Sequence, residues 1–310
     1  MHIYYEVTNR CNLKCEYCYN NSGKEKHFEL KTEEFFRIID YMKAELSLTS
    51  ITFSGGEPFM RSDLFDLINY CIGKGIYVYL ITNGTLITQS IDYEFEKIKH
   101  IIISLHNDYN NIDFETLKTL RKKVKVNFSV VLNKDNYDSI DQYCKFATEI
   151  RMPISFRVQK ARGRGDNEKL LNLAEIEIAD GLIQKYAASP FLSTKRLIDL
   201  HFFSCCYFSK EHDEYTMLPN GDIYLCQVLP RKYKLGNALD RTWKNNVELV
   251  KNELYNDWIK YKRNVCSSCY AKEVCRGICP GEIVSNTEKC LQCNARCKFY
   301  LKRSLGKVYG

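Results

Sequence analysis

The chain has 310 residues, 45 % of them apolar, a formal net charge of +7 and fifteen cysteines. That is enough for one large domain or two ordinary ones with a sizeable core, while the longest apolar runs, such as IIISL at 101–105, have strand length and exclude a membrane-spanning helix. The N-terminus, MHIYYEVTNRC, lacks the basic-then-apolar pattern of a secretory signal, which places the chain in the cytoplasm, where thiols stay reduced and an odd cysteine count points to metal ligation or thiol chemistry.

Strand and helix patterns then alternate. IYYEV (3–7) reads as a strand and TEEFFRIIDYMKAEL (32–46) as an amphipathic helix with Thr32 as a candidate cap. SITFS (50–54) is the next strand, and DLFDLINYCIGKG (63–75) a helix stopped by Gly73 and Gly75. VYLIT (78–82) precedes a helix expected near 88–99, and HIIISL (100–105) precedes the helix FETLKTLRKK. VNFSVVL (126–132), the helix SIDQYCKFATEI and ISFRVQ (154–159) complete six strand–helix units. Such a succession implies a parallel sheet with right-handed crossovers, either open or curled into a partial barrel. Ligands of both architectures bind at the carboxyl ends of the strands. After about residue 200 the alternation fades, and ten of the fifteen cysteines follow that point. One hairpin is legible there, YTML-PNGD-IYLC, turning at Asn220-Gly221. So small a cysteine-punctuated region has too little apolar material for an ordinary core and is expected to be held by metal clusters.

The chemistry-bearing segments fall at strand ends. After the first strand comes CNLKCEYCY, with Cys11, Cys15 and Cys18 in the spacing C-x3-C-x2-C. Thiolates in so small a space suit an iron–sulfur cluster. Three thiolates on a four-iron cube leave one iron open to a substrate or cofactor. The competing reading is a zinc site completed by a distant residue such as His2 or His27. After the second strand comes SGGEP (54–58), where Gly55 and Gly56 let backbone approach a bound molecule, Glu57 can accept from an ammonium group and Pro58 stiffens the exit. The basic clusters Arg121-Lys122-Lys123 and Lys160-Ala161-Arg162-Gly163-Arg164 read as solvated surface, or as attraction for an acidic peptide, an anionic cofactor or RNA.

CNLKCEYCY resembles the signature loop of the radical S-adenosylmethionine (radical SAM) enzymes, C-x3-C-x-aromatic-C, with Tyr17 in the aromatic position. SGGEP is similar to that family's glycine-rich segment. The resemblance implies an α/β fold, a partial (β/α)6 barrel over residues 1–200, with SAM as the fourth ligand of a [4Fe–4S] cluster. It implies SAM contacts at Tyr17, Gly55, Gly56, Glu57, Pro58, Asn83, Ser104 and Arg157. Many relatives read ISLDG where this chain reads ISLHN, so His106 and Asn107 depart from the pattern. KARGRG (160–165) resembles the family's stretch after the sixth strand.

Downstream, Gly221-x4-Cys226, the pair Cys205-Cys206, the run Cys266, Cys269, Cys275, Cys279, and Cys297 resemble the SPASM extension of radical SAM enzymes. That resemblance implies a small cluster-stabilised domain over 201–310 with two auxiliary [4Fe–4S] clusters, three clusters in all. Cys266, Cys269, Cys275 and Cys297 would hold the outer cluster. Cys226 and Cys279, with Cys205, Cys206 or both, would hold the inner one. Relatives place a further cysteine where Glu211 and His212 stand here, so the last ligand stays open. Cys290 and Cys293 carry no assigned role, and Cys71 and Cys144 read as buried small apolar residues.

The implied activity is oxidation of a peptide by a 5′-deoxyadenosyl radical, as in maturation of ribosomal peptides with new C–S or C–C bonds. The implied partners are that peptide and a flavodoxin or ferredoxin as electron donor; since the first strand begins at residue 3, recognition of a leader peptide is expected to fall to the barrel mouth, the basic surface or a separate leader-recognition protein. No membrane partner is expected and nucleic acid is disfavoured. Sulfatase maturases carry Asp after the Gx4C cysteine; Gln227 stands here and disfavours that reaction. A small-molecule radical dehydrogenase or epimerase, and a non-catalytic metal-stabilised module that binds RNA or passes electrons, are the alternatives.

Overall fold

The computed structural model describes residues 1–23, 28–90, 92–106, 113–160, 162–165, 168–194, 213–229 and 231–265. Six strands alternate with helices: β1 (His2–Thr8), α1 (Thr32–Glu45), β2 (Ser50–Gly55), α2 (Leu64–Gly73), β3 (Tyr77–Thr82), β4 (His100–Ser104), α3 (Phe114–Lys123), β5 (Val126–Leu132), α4 (Ile140–Glu149), β6 (Ile154–Val158) and α5 (Leu173–Lys185). Then follow β7 (Glu214–Met217), β8 (Asp222–Tyr224), β9 (Lys234–Asn237) and α6 (Val247–Val265). Among the described residues nine strands form one sheet in the order β6-β5-β4-β3-β2-β1-β7-β8-β9. The pairs from β6 to β7 are parallel, and β7-β8-β9 is antiparallel, making the α/β sheet a mixed one.

The strand order never reverses between β1 and β6, so right-handed crossovers put the intervening helices on one face. The burial alternation agrees. Ile3, Tyr5 and Val7 of β1, Ile51 and Phe53 of β2, Val78 and Leu80 of β3, Ile101 and Ile103 of β4, and Phe128 and Val130 of β5 are all buried. The strands' other residues, among them Tyr4, Glu6, Ser54, Ser104, Ser129 and Arg157, point to the opposite face. Loops confirm that this face is concave. The loop after β6 donates from Arg164 N to Cys18 O (2.9 Å), in the loop after β1, although four strands separate β6 from β1.

Two local expectations change. The helix expected near 88–99 is instead two 3-10 turns, Ile87–Ser90 and Phe95–Lys97. Ile87, Phe95 and Ile98 are buried, but their spacing makes no continuous i, i+4 stripe, so packing pins the chain without a helix. Thr32 does not cap α1. Lys31 occupies the cap position, with its N–H on Glu34 Oε2 (2.8 Å), and the Thr32 hydroxyl donates to Asp63 Oδ2 (2.6 Å).

Residues 213–265 pack onto the first six strands. β7 lies against β1, with His2 opposite Glu214 and Tyr5 opposite Met217. Tyr215, Met217, Ile223, Leu225, Leu229, Tyr233, Leu235, Trp243, Val250 and Leu254 join the same core as the first six strands. The hairpin turns at Asn220-Gly221, where Gly221 takes φ +85°. Among the described residues no helix is long and apolar enough to cross a membrane.

Candidate active site

Cys11, Cys15 and Cys18 sit half-buried in the loop after β1. Two amide groups already point at sulfur: Leu13 N at Cys11 Sγ and Ser22 N at Cys18 Sγ, each at 3.4 Å. Burial pushes the Cys11 thiol up and the Cys15 thiol up to about 11. Without a metal these groups are protonated at neutral pH, and a metal that binds them must displace the protons. The three thiols line one cavity of about 170 Å³ together with Tyr4, Tyr17, Tyr19, Gly55, Gly56, Asn83, Ser104, His106 and Arg164. Among the described residues no three His, Cys, Asp or Glu side chains are gathered closely enough to hold a single metal ion. His2 does not complete a zinc site: its ring bonds Ser50 Oγ (2.7 Å) and Thr52 Oγ1 (3.1 Å) at the far end of β1.

The SGGEP segment approaches the chain itself. Gly56 N donates to Thr8 O and Glu57 N to Arg10 O, both at 2.8 Å, which extends the β1–β2 pairing into the cysteine loop. A Cβ on Gly55, at φ +129°, would stand 2.4 Å from Thr8 O, and one on Gly56 would stand 2.0 Å from Arg10 O. The glycines are needed there before any ligand is considered. Glu57 is fully buried, and its oxygens accept from Thr82 Oγ1 (2.7 Å), Asn83 N (2.7 Å) and Phe59 N (3.2 Å). Burial raises its carboxyl and these hydrogen bonds oppose the rise. Its acceptor sites therefore face the end of β3 instead of the cavity, and act as a strut. Pro58 is buried and opens the 3-10 turn Pro58–Met60.

Asn83 continues that strut. Its side-chain amide donates to Asn12 Oδ1 (2.9 Å) and lies 4.0 Å from Cys11 Sγ. Ser104 ends β4 on the cavity wall. Just beyond it, His106 lies parallel to Tyr17, contacts the Tyr17 hydroxyl, and places Nδ1 3.6 Å from Cys15 Sγ. Burial lowers the His106 pKa and favours neutral imidazole. Arg157 is exposed on β6, and neither it, Glu57 nor Pro58 lines the cavity.

Several cavity residues escaped the sequence reading. Tyr4, Ser129 and Val131 are the alternate-face residues of β1 and β5, so the two-residue strand period was a usable signal. Tyr19 directly follows Cys18. Its hydroxyl lies 3.5 Å from Tyr4 OH, 3.5 Å from Glu6 Oε1 and 3.4 Å from Gln227 Oε1. Glu6, buried on β1, accepts from Asn20 Nδ2 (2.9 Å), and Arg162 Nη1 donates to Gln227 O (2.6 Å). This polar corner joins the cysteine loop to the half-buried Cys226. Arg164 belonged to the basic cluster and the KARGRG stretch, but nothing local in the sequence placed it in the cavity. Cys71 and Cys144 are buried on α2 and α4. His27, Asn107, Cys205, Cys206, Glu211, His212, Cys266, Cys269, Cys275, Cys279, Cys290, Cys293 and Cys297 lie outside the described residues.

Comparison with known proteins decides the family. The profile described as "Radical SAM superfamily" matches residues 5–147. An uncharacterised protein of Methanocaldococcus jannaschii is 30 % identical, over 88 % of this chain and 95 % of that protein. The chain belongs to the radical SAM superfamily. A mycofactocin maturase of Mycolicibacterium smegmatis is 24 % identical to this radical SAM protein over 89 % of the chain and 76 % of the maturase. Among solved structures, anSMEcpe with bound AdoMet and a peptide superposes with a TM-score of 0.68 at 19 % identity, covering 99 % of this chain and 98 % of that one. At that identity the likeness establishes the fold alone.

Proposed function

We propose that this radical SAM protein oxidises a peptide, with Cys11, Cys15 and Cys18 holding a [4Fe–4S] cluster and SAM filling the rest of the cavity. One observation carries the reading: three thiols, two amide N–H groups aimed at sulfur, the Gly55-Gly56 backbone and the ends of β3 and β4 all meet at one cavity. The donor set fits the group, being all sulfur and spread around a space instead of gathered on one ion. When bound, the cluster and SAM supply the reductive cleavage that yields a 5′-deoxyadenosyl radical. The chain's own part is to orient and to exclude water. Tyr17, Asn83 and Ser104 line the nucleotide's space, Gly55 and Gly56 admit it, and Glu57 and Pro58 brace the loop that shapes it. Arg157, exposed on the concave side, would meet only an extended ligand.

The peptide substrate rests on relatives named as a maturase and on the peptide-bound structure similar in fold. The sulfur-rich C-terminal region is read as a SPASM extension on spacing, with auxiliary clusters at the cysteines from Cys205 onward and Cys226 placed beside the polar corner. The division at about residue 200 is then one of function across a continuous sheet. Anaerobic protein reconstituted with iron and sulfide should give 5′-deoxyadenosine from SAM and dithionite, and Cys15→Ala should reduce it to background. A protein that takes up the cluster yet leaves SAM intact would overturn the proposal.

A further inference from the structure

Residues 162–165 form a strap that the proposed reaction does not use. Gly163, at φ +66°, lies so close to the cysteine loop that a Cβ would stand 2.3 Å from Cys18 O and 2.4 Å from Tyr19 O. The adjoining Arg164 N donates to Cys18 O (2.9 Å). The Arg164 guanidinium donates from Nε to Cys15 O (3.0 Å), and from Nη1 to Ser22 O (2.5 Å) and Asn21 Oδ1 (3.2 Å). At its other end Arg162 Nη1 grips Gln227 O (2.6 Å), one residue past Cys226. Gly165 N returns to Arg162 O (2.9 Å) and closes the turn.

The strap holds the carbonyls of Cys15, Cys18 and Ser22, which fixes the backbone of the loop whose Leu13 and Ser22 N–H groups point at sulfur. Such amides and a nearby cation both stabilise extra negative charge on a sulfur-ligated centre. Arg164 also lines the cavity, together with the three thiols. We infer that Arg164 is a positioning residue that pre-forms the cysteine loop and raises the reduction potential of the cluster held there. The inference rests on the proposed reading of that loop as a cluster site.

The test uses full-length protein, reconstituted anaerobically, as wild type, Arg164→Gln and Arg164→Lys. Two quantities are read: iron retained against a chelator, and the midpoint potential, from an EPR-monitored titration, of the cluster signal that added SAM perturbs. Arg164→Gln should retain iron about 10- to 100-fold less firmly and shift the midpoint to more negative values. Arg164→Lys, which keeps the charge and loses the fork, should keep a near-native midpoint with intermediate retention. Far-UV circular dichroism of each apo-protein establishes that it is folded. Wild-type retention and midpoint in Arg164→Gln would overturn the inference, as would equal midpoint shifts in both variants. A wild-type protein with no EPR-active cluster would instead sink the cluster reading itself.

Discussion

Arg61 shows how much one side chain contributes beneath the site. It is 4 % exposed, and its guanidinium donates to Asp63, the Tyr5 hydroxyl, Val7 O and Leu30 O, so it ties the turn after SGGEP to β1 and to the entry of α1. Burial alone would raise the Asp63 carboxyl, but hydrogen bonds from Arg61 and Thr32 outweigh it and hold the carboxyl below its ordinary range. A carboxyl lowered by folding stabilises the native state above the unfolded pKa, and that stabilisation is lost as pH falls through the native value. Asp63→Asn should therefore cost about 2 kcal/mol at neutral pH, with the gap to wild type closing as pH drops below about 4. Urea unfolding across pH checks this, and a pH-independent gap would refute the charge argument. None of this was legible in the sequence, where Arg61 falls in no motif and Asp63 only opens the helix pattern of 63–75.

At the scale of elements, the strands were the most legible part. Their apolar runs are short, bounded and spaced by helices, and VNFSVVL and FETLKTLRKK have the bounds expected of them. Their side-chain period and length are local properties that packing reinforces. The stretch near 88–99 failed because its apolar residues serve as separate anchors: Tyr93 stacks on Phe65 at 4.0 Å, while Phe95 is buried alongside. The glycine pair shows the other kind of limit. Its need for small residues was readable, but its partner was not, because the close contact is to Thr8 and Arg10, over forty residues earlier. Gly56→Ala should then destabilise by about 3 kcal/mol through overpacking and lower iron uptake, as read by denaturation and iron assay. A Gly56→Ala protein with native stability would show that the loop yields freely.

For the whole molecule, the decisive feature is that β7 lies beside β1, so residues more than two hundred apart in sequence build one sheet. Trp243 locks this arrangement. It is fully buried, packs edge-on against Tyr215 at 5.0 Å, and presses on Gly236, where its own Cβ leaves no room for another. Trp243→Ala should cost about 3–5 kcal/mol. Trp243→Phe should cost much less, because the indole N–H has no hydrogen-bond partner among the described residues. Equal losses in thermal unfolding would contradict that account. By itself the sequence determined the alternating α/β plan, the thiol triplet at a strand end, and the family that triplet and SGGEP mark, because these are local patterns set by backbone period and ligand chemistry. Only the tertiary structure decided that the helices share one face, that Glu57 serves as a strut, that Arg164 grips the cysteine loop, and that β7, β8 and β9 join the first sheet. Each of those depends on which distant segments meet, and contact between distant segments is settled by packing the whole core, not by any window of residues.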